Sequence, residues 1–457
     1  MMVFGSAAVA IPCARAAGSN TTPRAGTAAP RPCGLRATAD PIPVTGGDVR
    51  GAWEGDVVTL QGFKVELGPT RDQVGRLAQH AGLHRVVFNH GLAHVKAVMG
   101  QRAAEKTYGI GDAELTPAVG WSAPALEKYW RATHGRAYPW FVAEGLSSRV
   151  PKEACRALAA ALSNWAASRT GQRKGRRVGF PRFRRRKNGS RFRMDADRAR
   201  PVDVRHVRIP AVGMVRALED MSWLTDRIAD GRARVLGSRV EARAGRWWIS
   251  FQVDVDRADI DARRVAPVHG PVVGIDLGIT TFATIAADDG TVTKVANPRH
   301  LGRRLHRLRR ADKALARAQP GSKNRAKAAR RVAEVHLGVS NARADFLHQL
   351  TTSLTRCNST IVVEDLSVAG MIRNRSLARH IVDAGWSEFR RQLTYKAAWY
   401  GARLVVADRW YPSTRTCTTC GDINHDLRLA DRTWTCPCGA VHDRDGTAAI
   451  NLLRLAV

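Results

Sequence analysis

The chain has 457 residues, enough for two or three domains with cores of their own. Lys and Arg number 73 against 40 acidic residues, so the net charge is +33 and the pI about 11.1. A chain so basic repels itself unless a polyanion neutralises it, which points to nucleic acid. The sequence has no apolar run of the ~18 residues that a spanning helix needs, so no membrane partner is expected.

Residues 1–56 are rich in Ala, Gly, Pro and Thr without periodicity, and are expected to form a disordered extension. The first basic residue is Arg15, which does not suit a secretory leader. The expected location is cytoplasmic, at the nucleoid. Residues 57–67 alternate apolar and polar side chains and predict a strand. Thr70 then suits the N-cap of a helical block that runs to about residue 168.

A basic, glycine-punctuated stretch follows. Arg173, Lys174, Arg176, Arg177, Arg182, Arg184, Arg185, Arg186 and Lys187 are interleaved with Phe180 and Phe183. Guanidinium groups grip phosphates while rings stack on bases, so these cations are candidate nucleic-acid contacts. The plainer alternative is a solvated linker with two Phe tucked into a core. Residues 207–255 hold short strand-like runs separated by Gly, the clearest at 247–253. A small β-barrel from 57–70 and 190–262 is expected, with a helical domain, 71–189, inserted after its first strand.

From residue 265 the pattern becomes α/β. Strands are predicted at 272–278, 280–287, 361–366 and 404–407. Two long basic helices, 303–318 and 322–350, break at Gln319-Pro320-Gly321, and Val335, Val339, Ala342, Phe346 and Leu350 mark the core face of the second. Helices are also predicted at 386–400 and from Gly446 to the end.

Three acidic positions stand out. Asp276 interrupts one apolar strand, Glu364 ends another, and Asp443 and Asp445 precede the last helix. A carboxylate in a buried strand is unfavourable unless paired or metal-bound. Phosphodiester hydrolysis gives such acids a use, with two Mg²⁺ ions activating water and stabilising the leaving oxygen. Four of the eight cysteines crowd into the last tenth of the chain as Cys417-Thr418-Thr419-Cys420-Gly421 and Cys436-Pro437-Cys438-Gly439. Two close pairs fit a closed, structural Zn²⁺ site. His425 and His442 are substitute candidates and read as bystanders.

These motifs resemble the TnpB family, insertion-sequence nucleases related to type V CRISPR effectors. The resemblance rests on Gly274-Ile275-Asp276-Leu277-Gly278, Ser322-Lys323-Asn324-Arg325, Val363-Glu364-Asp365-Leu366 and Arg415-Thr416-Cys417 through Gly421. Arg432-Thr433-Trp434-Thr435-Cys436, the run from Cys438 to Asp445, and Val178-Gly179-Phe180-Pro181-Arg182-Phe183 add to it. It covers residues 57–457. It implies an α/β fold: an RNase H-like (RuvC) nuclease domain at 265–415 and 441–457, interrupted by a zinc ribbon at 416–440.

The resemblance also implies a guide RNA that pairs with a double-stranded DNA target. Asp276, Glu364 and Asp445 take the catalytic metal-ligand roles. Asp445 is chosen over Asp443 because the family's third acid precedes an x-Asn-Ala-Ala run, here Gly446-Thr447-Ala448-Ala449. Two features depart from the family pattern. Thr447 replaces the Asn, and the second cysteine pair is one residue shorter, which is expected to strain the zinc site. A nuclease-impaired, RNA-guided DNA-binding protein or repressor is therefore a second reading, and a strand-joining transposase a third.

Overall fold

The computed structural model describes residues 58–173, 175–186, 189–195, 198–256, 270–428 and 430–456. The expected extension 1–56, and Lys174 and Lys187 of the basic stretch, lie outside them. The described residues fall into two compact units, 58–256 and 270–456.

In the first unit, strand β1 (Val58–Gly68) leads into helix α1 (Arg71–Thr107). The capping box is formed: Thr70 accepts from the Gln73 amide at 3.3 Å, and the Gln73 side chain accepts from the Thr70 amide at 3.0 Å. Helices α2 (Ala123–Ala137), α3 (Trp140–Ala143) and α4 (Arg149–Arg169) complete the helical segment. Strands β2 (Arg191–Asp195), β3 (Arg200–Pro201), β4 (His206–Ile209) and β5 (Gly213–Ala217) follow. Next come helix α5 (Ser222–Ala229) and the long hairpin β6 (Ala233–Arg243) and β7 (Arg246–Asp256). Ala244 and Gly245 make its two-residue turn with φ of 51° and 77°, the left-handed pair that matches strand twist. Ile249, Phe251, Val253 and Val255 alternate into the core, as the period of two requires.

The seven strands form one antiparallel sheet in the order β2-β6-β7-β1-β5-β4-β3. The expected barrel does not close: no ladder joins β2 to β3 among the described residues. Edge strand β3 is two residues long, and Pro201 has no N–H to donate.

In the second unit, β8 (Val272–Leu277), β9 (Thr281–Ala287) and β10 (Val292–Ala296) form an antiparallel meander. Two helices follow, α6 (His300–Arg317) and α7 (Lys323–Cys357), longer than predicted but broken at the expected turn. Then come β11 (Thr360–Val363), α8 (Val368–Met371), α9 (Arg375–Ala384), α10 (Trp386–Tyr400) and β12 (Arg403–Val406). The sheet order is β10-β9-β8-β11-β12, with β11 parallel to both neighbours. Parallel neighbours need crossovers, which the helices supply. Val335, Val339 and Leu350 of α7 are buried, and Phe346 packs against the core that contains Leu350. A small hairpin, β13 (Thr433–Thr435) and β14 (Val441–Asp443), precedes helix α11 (Arg444–Leu453).

Helix α11 lies directly on β8. A Cβ placed on Gly274 would sit 2.2 Å from the Ala449 carbonyl oxygen and 2.3 Å from the Leu453 amide nitrogen. Both obstacles are backbone, so no rotamer change relieves them. Gly274→Ala is expected to destabilise this unit by about 3 kcal/mol, lowering the melting temperature by roughly 6–12 °C. A thermal scan showing no change would mean that the helix can lift without loss.

Candidate active site

Asp276 lies two residues beyond Gly274 on β8, so its side chain emerges on the face that α11 covers. Val363 pairs with Ile275, which sets the next residue, Glu364, beside Asp276 at the carboxyl ends of two parallel strands. Ligands in α/β sheets bind at such ends. Asp445 enters from the first turn of α11, the helix that Gly274 seats.

The two strand acids are within hydrogen-bonding reach of each other. Burial pushes the Asp276 carboxyl well above the usual range, and the charges of Glu364 and Asp445 push it further. Burial also raises Glu364, against hydrogen bonds from Asp276 and Ser413 and the nearby charge of Arg444. Both carboxyls are thus shifted upward by their burial, and Asp276 further by its acidic neighbours.

Asp443 is employed differently. Its side chain caps α11 by accepting from the Gly446 amide at 3.1 Å, and it pairs with Lys294 at 2.9 Å. Asp445 makes a looser contact with Arg432, at 3.6 Å. Of the two, Asp445 is the one whose charge reaches Asp276.

Ser413 and Asn451 did not stand out in the sequence. Buried Asn451, on α11, donates to the carbonyls of Ser413 and Thr416 at 2.8 and 2.7 Å. It ties the helix to the loop between β12 and Cys417. A single Ser in a loop and an Asn in a helix carry no motif, so only the fold reveals the link. Thr447 is buried in the same helix.

The sulfurs of Cys417, Cys420, Cys436 and Cys438 all lie within 4.8 Å of one another, so the shortened second pair still reaches the first. The amides of Thr419 and Cys420 point at Cys417 Sγ from 3.4 and 3.5 Å, and His442 Nε2 approaches it to 3.1 Å. Burial disfavours the Cys417 thiolate, but those amides and the imidazole outweigh it and bring the thiol down to about 5. His442 is thus a hydrogen-bonding neighbour of the cluster, and Trp434 packs against its ring at 4.5 Å.

In the basic stretch, Arg173, Arg176, Arg177, Arg182, Arg185 and Arg186 are exposed. Arg184 is turned inward. It contacts His84 Nδ1 at 3.0 Å and sits 3.6 Å over the Phe88 ring. Phe180 packs against the core, whereas Phe183 is exposed with Lys96 over its ring. Of the two Phe that the plainer reading tucked into a core, only Phe180 is so placed.

Family models match at three places. "Probable transposase" covers residues 250–375, a Cas12f1-like TNB domain 386–452, and a "Helix-turn-helix domain" 59–102. That last segment is a strand and one unbroken helix in this chain. A protein of Streptomyces pristinaespiralis named "Putative RNA-guided DNA endonuclease" is 37% identical over 392 residues, covering 86% of this chain and 88% of the relative. The chain belongs to the TnpB family. A Mycobacterium tuberculosis relative with the same descriptive name is 35% identical, with 86% of each chain covered. InsQ of Escherichia coli is 28% identical over 82% of this TnpB-family chain and 87% of its own. Solved structures are more distant. A Cas12f1–sgRNA–target DNA complex gives a TM-score of 0.44 at 11% identity, covering 87% of this chain and 99% of the other.

Two predictions follow from the geometry. An acid whose folded pKa is raised loses stability as pH climbs through that value, so the ionised pair strains the metal-free fold. Asp276→Asn should therefore stabilise the chelated protein at neutral pH by about 1 kcal/mol, or roughly 2–4 °C, with the difference vanishing in acid. A variant that melts lower than wild type in chelator would contradict the electrostatic account. Separately, Cys420→Ser should lower bound zinc and destabilise the segment from Arg415 onward. Metal analysis with unchanged zinc stoichiometry would count against the cluster.

Proposed function

We propose that this protein is an RNA-guided, divalent-metal-dependent DNA endonuclease of a transposable element. The observation that carries the reading is the convergence of Asp276 and Glu364 on adjacent parallel strand ends, with Asp445 delivered by α11. In this reading the unit from residue 265 onward is an RNase H-like (RuvC) nuclease domain with a zinc ribbon at 416–440. The sheet order supports it: a three-stranded antiparallel meander extended by two parallel strands. The described residues of 57–70 and 190–262 then make up the sheet domain, and those of 71–189 the inserted helical domain. The relatives' descriptive names support guide RNA and DNA as partners.

The residues fit the groups they would hold. Three carboxylates are hard oxygen donors suited to Mg²⁺, and four thiolates suit a closed Zn²⁺ site. Bound Mg²⁺ supplies Lewis acidity for water and for the leaving oxygen. The protein's own part is positional. Strands β8 and β11 hold two acids rigidly side by side, and α11 adds the third. Arg444 and Ser413 stabilise the ionised form of Glu364. Because both carboxyls are shifted upward, protons compete with a cation here at higher pH than at an isolated carboxyl, so metal uptake should strengthen as pH rises. The four-cysteine cluster fixes the loop that Asn451 ties to α11.

The test uses purified protein with its copurifying RNA and a matched DNA target. Metal-dependent cleavage should fall at least about a thousandfold in Asp276→Ala and Glu364→Ala while guided DNA binding persists. Guided binding without cleavage by the wild type would favour the repressor reading, for which the Thr447 departure speaks. In the same assay, Arg185→Ala with Arg186→Ala should flatten the dependence of log K on log salt by about 1.8 for a duplex. An unchanged slope would remove these two residues from the interface.

A further inference from the structure

The first unit carries a cavity that the nuclease chemistry does not use. It has a volume of about 780 Å³, and its walls include Arg149, Arg198, Arg200 and Arg208 with Ser147 and Ser148. Arg200 and Arg208 are direct cross-strand partners on β3 and β4. Like charges placed opposite each other destabilise a ladder, and neither side chain has a carboxylate partner among the described residues. Arg198 is likewise exposed and without one. Arg149 alone shares an acid, Asp195, at 3.9 Å. Among the described residues no carboxylate offsets the opposition of the exposed Arg200 and Arg208, as expected of a site completed by an anion.

A second cavity of about 360 Å³ adjoins the first and shares Ser148 and Arg149 with it. Its character is aromatic. Trp130, His134 and Phe141 line it, with Trp130 and His134 stacked at 5.3 Å and Phe141 edge-on to both. The acid in its wall, Glu127, is paired with Arg131. Both volumes fall in the range of ligand sites, roughly 300–1,000 Å³.

We propose that the two cavities form one site for an unpaired nucleotide, holding backbone phosphates among Arg198, Arg200 and Arg208 and the base against His134 and Phe141. Arg149 and Ser148 stand at the junction, where the sugar would lie. Splayed bases that stack on aromatic side chains are the usual currency of single-strand recognition. The inference rests on the nucleic-acid reading above but not on cleavage. The strand could be a guide RNA or the displaced DNA, and both share this chemistry.

The experiment uses the full chain and short single strands, RNA and DNA of one sequence, in which alternate bases are 2-aminopurine. Fluorescence anisotropy reads affinity, and 2-aminopurine quenching reads stacking. Arg200→Gln with Arg208→Gln should weaken binding about tenfold more than Arg243→Gln with Arg246→Gln, which removes equal charge from an opposed arginine pair at the β6–β7 turn. It should also lower the salt slope by about 1.4. His134→Ala and Phe141→Leu should each reduce quenching and leave the slope intact, a split that mere loss of folding would not give.

Tighter binding of RNA assigns the site to the guide, and tighter binding of DNA to the displaced strand. If the arginine pair behaves like its charge-matched control, the site is overturned whatever the aromatic variants show. Undiminished quenching in both His134→Ala and Phe141→Leu overturns it as well. A wild type that binds strands normally while these variants match their controls overturns this site alone. A wild type that binds neither strand overturns the nucleic-acid reading with it.

Discussion

The contact between α11 and β8 is the constraint on which the second unit depends. Without a side chain at Gly274, a helix backbone can rest on a strand backbone, with Ala449 and Leu453 filling the space a Cβ would take. That approach does two things. It buries Ala448, Ala449 and Leu452 against the sheet. It also holds the first turn of the helix where Asp445 faces the strand acids.

The site so formed is unfavourable to the fold by itself. Two acids share a buried corner, where burial raises both carboxyls and the charges of Glu364 and Asp445 raise Asp276 further. Carboxylates are tolerated in such places when a cation or a partner neutralises them. The surrounding contacts supply the rigidity that keeps the acids from separating. The register of β8 and β11 fixes one pair of positions, and Asn451 anchors the helix to the loop that reaches the cysteines. The cysteine cluster and the carboxylate corner are thus mechanically linked through one helix, although their chemistry differs. The four sulfurs gather within 4.8 Å of one another, and the carboxylates offer hard oxygens.

In the first unit the same logic runs through cations. Most arginines of the basic stretch remain in solvent, but Arg184 lies on Phe88 beside His84, and burial with the neighbouring Arg191 and Arg239 lowers its pKa to about 10. Spacing along the chain does not separate it from Arg185, because the stretch has no helical or strand period from which a facing direction follows. The open sheet is a similar case. Alternating apolar positions marked its strands, yet whether a sheet closes depends on its two edges, and those edges are distant in sequence.

From sequence alone came the acids as interruptions of apolar strands, the cysteine pairs by their spacing, the Thr70 cap, the helix break at Pro320-Gly321 and the family itself. These are local signals: burial pattern, ligand spacing and backbone preference act within a few residues. Tertiary structure alone decided that Asp443 caps α11 and pairs with Lys294, that Ser413 and Asn451 support the strand acids, and that Cys438 reaches its three partners across a shortened loop. It also decided which arginines stand opposed around a cavity. Each of these depends on how elements tens of residues apart approach one another, and the distance of closest approach is set by packing that no single segment encodes.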